Sequence, residues 1–236
     1  MKRLILPLLL STVLTTAHAQ DESFRLGVKL SPNFAWMRSD SKDLKSDGSR
    51  TSYSFGLIGD FRLNDEGKYF FSTGILYNNI GGKFKAEGTY DLAGVTTTVK
   101  SEQDLKLRYI EVPLTLKLRT IADKPLNFYG QIGVSAAFNI RARTDVTTTT
   151  TVGGASTTGT LEDEDVIADV ALFKSGVVVG AGAEFALASG TTLFGGLTYN
   201  SAFTNTLDSD AKNLSSNGNK SKLFADYLEI TLGVFL

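Results

Sequence analysis

Nine charged residues stand on the polar faces of alternating segments: Arg25, Lys29, Arg62, Lys117 and Arg119, with Asp60, Glu111, Glu184 and Glu229 as counter-charges. If one narrow enclosure holds them, their chemistry is mutual ion pairing, because a buried charge without a partner is costly. Two acidic groupings offer another chemistry. Glu162-Asp163-Glu164-Asp165 carries the carboxylate oxygens that hard cations take, and Asp208-Ser209-Asp210 has part of a calcium-loop spacing. The first reads as a solvated run, and the second lacks the glycine and terminal Glu of an EF-hand. Gly180-Ala181-Gly182 begins like a dinucleotide loop, but Phe185 occupies the third glycine position and no helical pattern follows, so that reading is rejected. No catalytic residue, cofactor or metal is expected.

What the sequence omits narrows the field further. The 236 residues contain no Cys, which excludes thiolate metal sites, disulfides and cysteine nucleophiles, and a single His, His18. That His lies in a leader. Lys2 and Arg3 precede an apolar stretch from Leu4 to Leu14, and Ala17-His18-Ala19 offers small residues for cleavage after Ala19. The apolar stretch falls well short of the ~20 residues of a spanning helix. Residues 1–19 are therefore expected to be a signal peptide and 20–236 a single barrel domain. The mature chain keeps 22 basic against 25 acidic residues, a net charge of −3. Nucleic acid is not an expected partner, since phosphate binding needs a basic surplus. Without imidazole or thiol, most nucleophile–base pairs cannot be built.

Elements able to position the nine charges are strands. From Tyr109 to Arg119 one face is Ile110, Val112, Leu114, Leu116 and Leu118, and the other is Tyr109, Glu111, Pro113, Thr115, Lys117 and Arg119. A helical period would mix these sets. The same period of two runs through Leu228 to Leu236 and, more weakly, through 24–37, 53–63, 69–80, 126–141, 173–187 and 193–205. Eight strands are predicted. Connections at 64–68, 120–125 and 188–192 are short; those at 38–52, 81–104, 142–172 and 206–221 are long and polar. An antiparallel up-and-down meander puts all long connections at one end. Within them, Thr147 to Thr151 with Thr157, Thr158 and Thr160 reads as a mobile loop, and 166–172 as a short helix or a strand extension. Pro113, inside a strand that should be paired on both sides, predicts a bulge.

Alternation alone fits a soluble barrel or its inverse. Glycine decides: Gly27, Gly56, Gly74, Gly133, Gly180, Gly182, Gly196 and Gly233 all lie on the polar face. Small residues make room inside a bore that eight strands leave only just wide enough for side chains. The polar face is thus placed inward and the apolar face toward lipid. Strands of about 11 residues, tilted ~40°, span roughly the 25 Å apolar band of such barrels. Aromatics on the apolar face, among them Phe34, Trp36, Tyr53, Phe71 and Phe138, suit interfacial girdles.

Tyr109-Ile110-Glu111-Val112-Pro113-Leu114, followed by Thr115-Leu116-Lys117, resembles the Tyr-x-Glu-Ile-Pro-Leu strand of the PorT-like outer-membrane β-barrel family. Gly27-Val28-Lys29, Leu76-Tyr77, Gly180-Ala181-Gly182 and the hydrophobic last strand extend the likeness over nearly the whole mature chain. The third strand departs from the family, with Ser72, Thr73 and Gly74 where polar Gln and Glu are frequent. The resemblance implies a fold and a membrane, not a ligand.

The expectation is an eight-stranded transmembrane barrel in the outer membrane, its narrow lumen plugged by charges that pair across it and leave no open pore, with both termini periplasmic and long loops outside. Its role would be structural or surface interaction, as a monomer contacting outer-membrane lipid and an extracellular or secretion-system protein. The rival readings are a small-solute channel, a secretion accessory, a hydrolase working from loop carboxylates and a soluble lipocalin-like carrier.

Overall fold

A computed structural model describes residues 23–40, 44–92, 95–120, 125–187, 190–209, 211 and 221–236. The expected signal peptide at 1–19, Asp123 and Lys124 of one short turn, and Asp210 lie outside the described residues. Nine strands follow in order: β1 (Phe24–Ser39), β2 (Leu44–Arg62), β3 (Tyr69–Leu92), β4 (Val95–Arg119), β5 (Leu126–Val152), β6 (Ala155–Asp165), β7 (Phe173–Ala186), β8 (Thr192–Ala202) and β9 (Leu223–Phe235). A single 3-10 turn, Ile167–Asp169, separates β6 from β7. Eight strands close a ring, β1-β2-β3-β4-β5-β7-β8-β9 and back to β1, with every pairing antiparallel. β6 stands outside the ring and pairs only with β5.

The ring is inside-out. Leu30 and Ile75 are 60% and 62% exposed, while Ser31, Asn33, Asp60 and Glu111 are buried. Two of the polar-face glycines show why they carry no side chain. A Cβ on Gly182 would fall 2.7 Å from the Tyr129 hydroxyl, and one on Gly233 would fall 2.2 Å from Phe194 Cζ. Each glycine leaves the volume that a large ring from another strand fills.

Three of the four long connections are not loops throughout, and most of the fourth, 206–221, lies outside the described residues. β2 begins at Leu44, the β3–β4 hairpin runs out to Leu92 and Val95, and β5 and β6 form a second hairpin through Gly153 and Gly154. The threonine segment predicted as a mobile loop is thus paired strand: Thr147, Thr149 and Thr151 oppose Thr160, Thr158 and Ser156, with their hydroxyls 3.5, 3.1 and 2.8 Å apart. A run of identical residues has no contrast between its two faces, so periodicity cannot reveal it. The β-branching of Thr was the remaining signal. Residues 166–172 hold the 3-10 turn rather than an extension of a strand.

Along these extensions the alternation changes phase. Within the membrane band most inward residues are polar or small, such as Asn33, Asn78, Glu111 and Asn200, with a few rings and aliphatic side chains, Phe70, Leu76 and Phe235 among them. Beyond it they become Met37, Ile80, Phe84, Leu105, Leu107, Leu223 and Ala225, all buried. Outward residues change the other way, from Ile110 to Arg108 and Lys106. The projecting part is therefore packed as an ordinary water-soluble sheet with its own apolar core.

Pro113 does not mark a bulge. Its register with β5 is unbroken, Pro113↔Ser135, and its register with β3 holds from Thr73↔Leu114 to Leu76↔Glu111 with the two positions between left unpaired. Pro32 does the same in β1, where pairing with β9 passes from Leu30↔Leu232 to Asn33↔Glu229. Lacking an N–H, each proline interrupts one ladder and leaves the strand in register. The bulge in this part of β4 and β5 lies instead between Arg108 and Tyr109.

Candidate functional site in the barrel lumen

Inward-pointing side chains divide the lumen into three levels. At the level of Phe24 on β1 and Phe235 on β9, four strands contribute one charge network. Arg25 on β1 reaches Asp60 on β2 at 2.7 Å and Glu184 on β7 at 3.0 Å, while Lys117 on β4 reaches the same two carboxylates at 2.9 and 2.5 Å. Arg119 meets Glu184 at 3.4 Å, and Ser72 donates to Asp60 at 2.5 Å. Phe70, Phe235 and Tyr129 surround the cations: the Arg25 guanidinium lies 4.7 and 4.5 Å from the two phenylalanine centroids, and the Lys117 ammonium 4.5 Å from the tyrosine ring. Ring faces carry partial negative charge, so they stabilise cations that water no longer reaches. Arg62 sits at the rim beside Arg119. Both guanidinium groups crowd Gly67, whose turn conformation has φ +64° and whose Cβ would lie 3.3 Å from Arg119 Nη2.

At the middle level, Lys29 pairs directly with Glu229, which also accepts from the Ser54 hydroxyl at 3.0 Å. Glu111 joins no ion pair among the described residues. Three neutral donors hold it: Asn78 Nδ2 at 2.8 Å, Asn200 Nδ2 at 3.1 Å and the Tyr227 hydroxyl at 2.7 Å. Lys174 is buried nearby, donating to Asn200 Oδ1 at 3.2 Å, with its ammonium 5.2 Å from the Tyr227 ring centroid. Of the nine charges picked from sequence, Arg25, Asp60, Lys117, Arg119 and Glu184 share one network, Lys29 and Glu229 form a second, Glu111 is held by neutral donors, and Arg62 lies at the rim beside the first network. Lys174 was missed, along with the Asn78, Asn200 and Tyr227 shell. Parity could have found Lys174, since it alternates in phase with Gly176, Gly180, Gly182 and Glu184.

Between these two levels lies a cavity of about 60 Å³, lined in part by Lys29, Asp60, Ser72, Glu111, Lys117 and Glu229. It has room for a few waters. The third level is the apolar cluster of the projecting end. Met37, Phe84, Leu105 and Leu107 from the strands pack with Val166, Val170 and Leu207 from the segments that cross over the barrel mouth. No feature of the sequence reading anticipated this cap, because it rests on the phase change described above.

The acidic run at the end of β6 is engaged by arginines. Arg143 lies 3.4 Å from Asp165, and both Arg141 and Arg143 lie 3.9 Å from Asp163. Among the described residues no three His, Cys, Asp or Glu side chains converge as metal ligands. Gly180-Ala181-Gly182 is the middle of β7.

A closed antiparallel ring with an apolar outer belt and a polar, side-chain-filled lumen is the architecture of a transmembrane β-barrel. The sequence matches the model of the outer membrane protein beta-barrel domain family over residues 18–208, and the chain belongs to that family. It is an outer-membrane β-barrel protein. No curated protein matches it. Among solved structures it is similar to Neisserial surface protein A (14% identity, TM-score 0.41, covering 89% of this chain and 96% of that one). It is also similar to Ail, the attachment invasion locus protein of Yersinia pestis (11% identity, TM-score 0.37, 90% and 98% covered). A third is OprG from Pseudomonas aeruginosa (13% identity, TM-score 0.39, 90% and 93% covered).

Proposed function

We propose that this protein is a non-conducting outer-membrane barrel that acts through the sheet it projects from one mouth, as a structural or surface-interaction protein. The observation that carries the reading is the lumen: two levels of paired and hydrogen-bonded polar side chains, and beyond them an apolar cluster that closes the mouth. A solute would have to break several charge-assisted contacts at once and then cross a dry core. With transport unfavourable, the investment in β3 to β6 points to work done outside the membrane. The short turns and both chain ends face the periplasm in this reading, and the long hairpins face out. The likeness of the Tyr109 to Lys117 strand to the PorT-like family supports keeping a secretion-system partner beside an extracellular one. The barrel acts as a monomer and without catalysis.

Planar-bilayer recording of the purified, folded barrel tests the plug. No conductance steps are expected across the physiological pH range. Steady single-channel steps would overturn the reading in favour of a small-solute channel.

A further inference from the structure

The outer surface of β3, β4 and β5 changes character across one line. Tyr77, Ile110 and Phe138 form the last apolar row, paired as Tyr77↔Ile110 and Ile110↔Phe138. The next paired row is Asn79, Arg108 and Arg141, and beyond it comes Gly81, Lys106 and Arg143. Four cations therefore lie in two rows against the edge of the lipid-facing belt. The outer two are satisfied by the protein: Lys106 meets Asp145 at 2.6 Å, and Arg143 Nη1 donates to the Asp163 carbonyl at 2.7 Å. The inner two are not. Among the described residues Arg141 approaches one carboxylate, Asp163, at 3.9 Å, and its side chain is 43% exposed. Arg108 has no hydrogen bond or ion pair among the described residues.

Arg108 and Arg141 are direct cross-strand partners, an arrangement that costs stability when both carry the same charge. A bulge creates it. Pairing shifts between Arg108↔Arg141 and Tyr109↔Asn139, so Ile140 and Arg141 are consecutive outward residues between buried Asn139 and Ala142. Were the alternation of β5 to run on unbroken past Asn139, Arg141 would fall opposite Leu107 and point into the apolar core. The bulge thus aims a second guanidinium at the first, at the height where the apolar belt ends. Two planar forks facing one another suit a single tetrahedral anion, which turns their repulsion into shared charge-assisted hydrogen bonds.

We propose that Arg108 and Arg141 clamp a phosphate of a phosphorylated glycolipid in the outer leaflet, with its acyl chains lying along Tyr77, Ile110, Phe138 and Ile140. Charge complementarity and height select this occupant. The phosphates of such a lipid sit directly above its acyl chains, as the two arginines sit directly above the apolar row. The proposal rests on the orientation given above, in which the projecting sheet faces out.

Folded barrel in detergent micelles is titrated with bisphosphoryl lipid A and with its dephosphorylated form, and bound lipid is counted by native mass spectrometry. Wild type is expected to retain the phosphorylated lipid and not the other. The R108Q/R141Q double variant should bind about tenfold more weakly or worse, while R108K/R141K, which keeps the charge and loses the forks, falls between. Heat-dependent mobility in SDS confirms that each variant is folded. If the double variant does not fold, the two lipids on wild type still decide. Equal retention of both lipids, unchanged binding by the folded double variant, or displacement by millimolar inorganic phosphate would overturn the clamp. Binding in micelles does not depend on which way the barrel faces in a cell, so this failure is distinct from a failure of the orientation.

Discussion

Glu184 serves three cations at once, taking Arg25, Lys117 and Arg119 within 3.4 Å while itself almost fully buried. Replacing it by Gln keeps the shape and removes the charge that holds the others in place. Loss of one partner from a buried network typically costs about 3–5 kcal/mol, because the remaining charges stay desolvated. Glu184→Gln is therefore expected to lower the urea midpoint of the barrel in lipid vesicles, and the unfolding free energy obtained from midpoint and m-value should fall by an amount in that range. Glu66→Gln is the internal comparison. It breaks the Lys68–Glu66 pair on an exposed turn, whose side chains are 46% and 63% accessible, and should shift the midpoint very little. Equal effects from the two variants would show that the luminal network is as loosely held as a surface pair.

At the scale of elements, the β4–β5–β6 projection depends on charges arranged across its strands. Asp104 and Asp145 face each other, and each is compensated, by Arg50 at 3.1 Å and by Lys106 at 2.6 Å. The Lys106 hydrogen bond, and after it the backbone N–H of Asp163, hold the Asp145 carboxyl below its ordinary range. A carboxyl depressed in the folded state adds stability above its unfolded value of ~3.9, and that stability is lost as pH falls through the folded value. Asp145→Asn should therefore speed amide exchange in Thr147–Val152 at neutral pH, by no more than the ~1 kcal/mol of a partly exposed pair. The difference from wild type should vanish at pH values well below 4 and shrink in high salt. A difference that persists at low pH would mean that shape, not charge, holds the hairpin.

These same elements mark where the sequence could be read and where it could not. Strands in the membrane band are legible because the two solvents differ: lipid selects Leu114, Leu116 and Leu118 on one face, and the crowded lumen selects Thr115, Lys117 and glycine on the other. The lower charge network is legible for the same reason, since Asp60, Lys117 and Glu184 share that parity. Past Tyr109 the rule inverts. Leu105 and Leu107 turn inward and Lys106 and Arg108 outward, so a reading that assumes one phase sees only polar connection. The bulge at Ile140–Arg141 is invisible locally, because it shows only against the register of the neighbouring strand.

For the whole molecule, the phase change defines two bodies on one ring: a barrel built for lipid and a sheet built for water. The ends of the ring follow the same division. The turn at Asn64–Gly67 is short and closed by its own hydrogen bonds, with Asn64 Oδ1 accepting from the N–H groups of Lys68 and Tyr69. The opposite end carries the β5–β6 hairpin out to Gly153 and Gly154, whose positive φ values of 56° and 91° make the tight turn. Because the chain contains no Cys, single cysteines report on each end against a silent background. A membrane-impermeant maleimide added to intact cells is expected to label Gly159→Cys on the exposed face of β6 and to leave Asp65→Cys unlabelled until the outer membrane is opened. Gly159 is chosen because nothing lies within 4 Å of where its Cβ would stand and its backbone is not strained. Labelling of Asp65→Cys alone would invert the barrel, place the projecting sheet in the periplasm and make a partner there the one to seek.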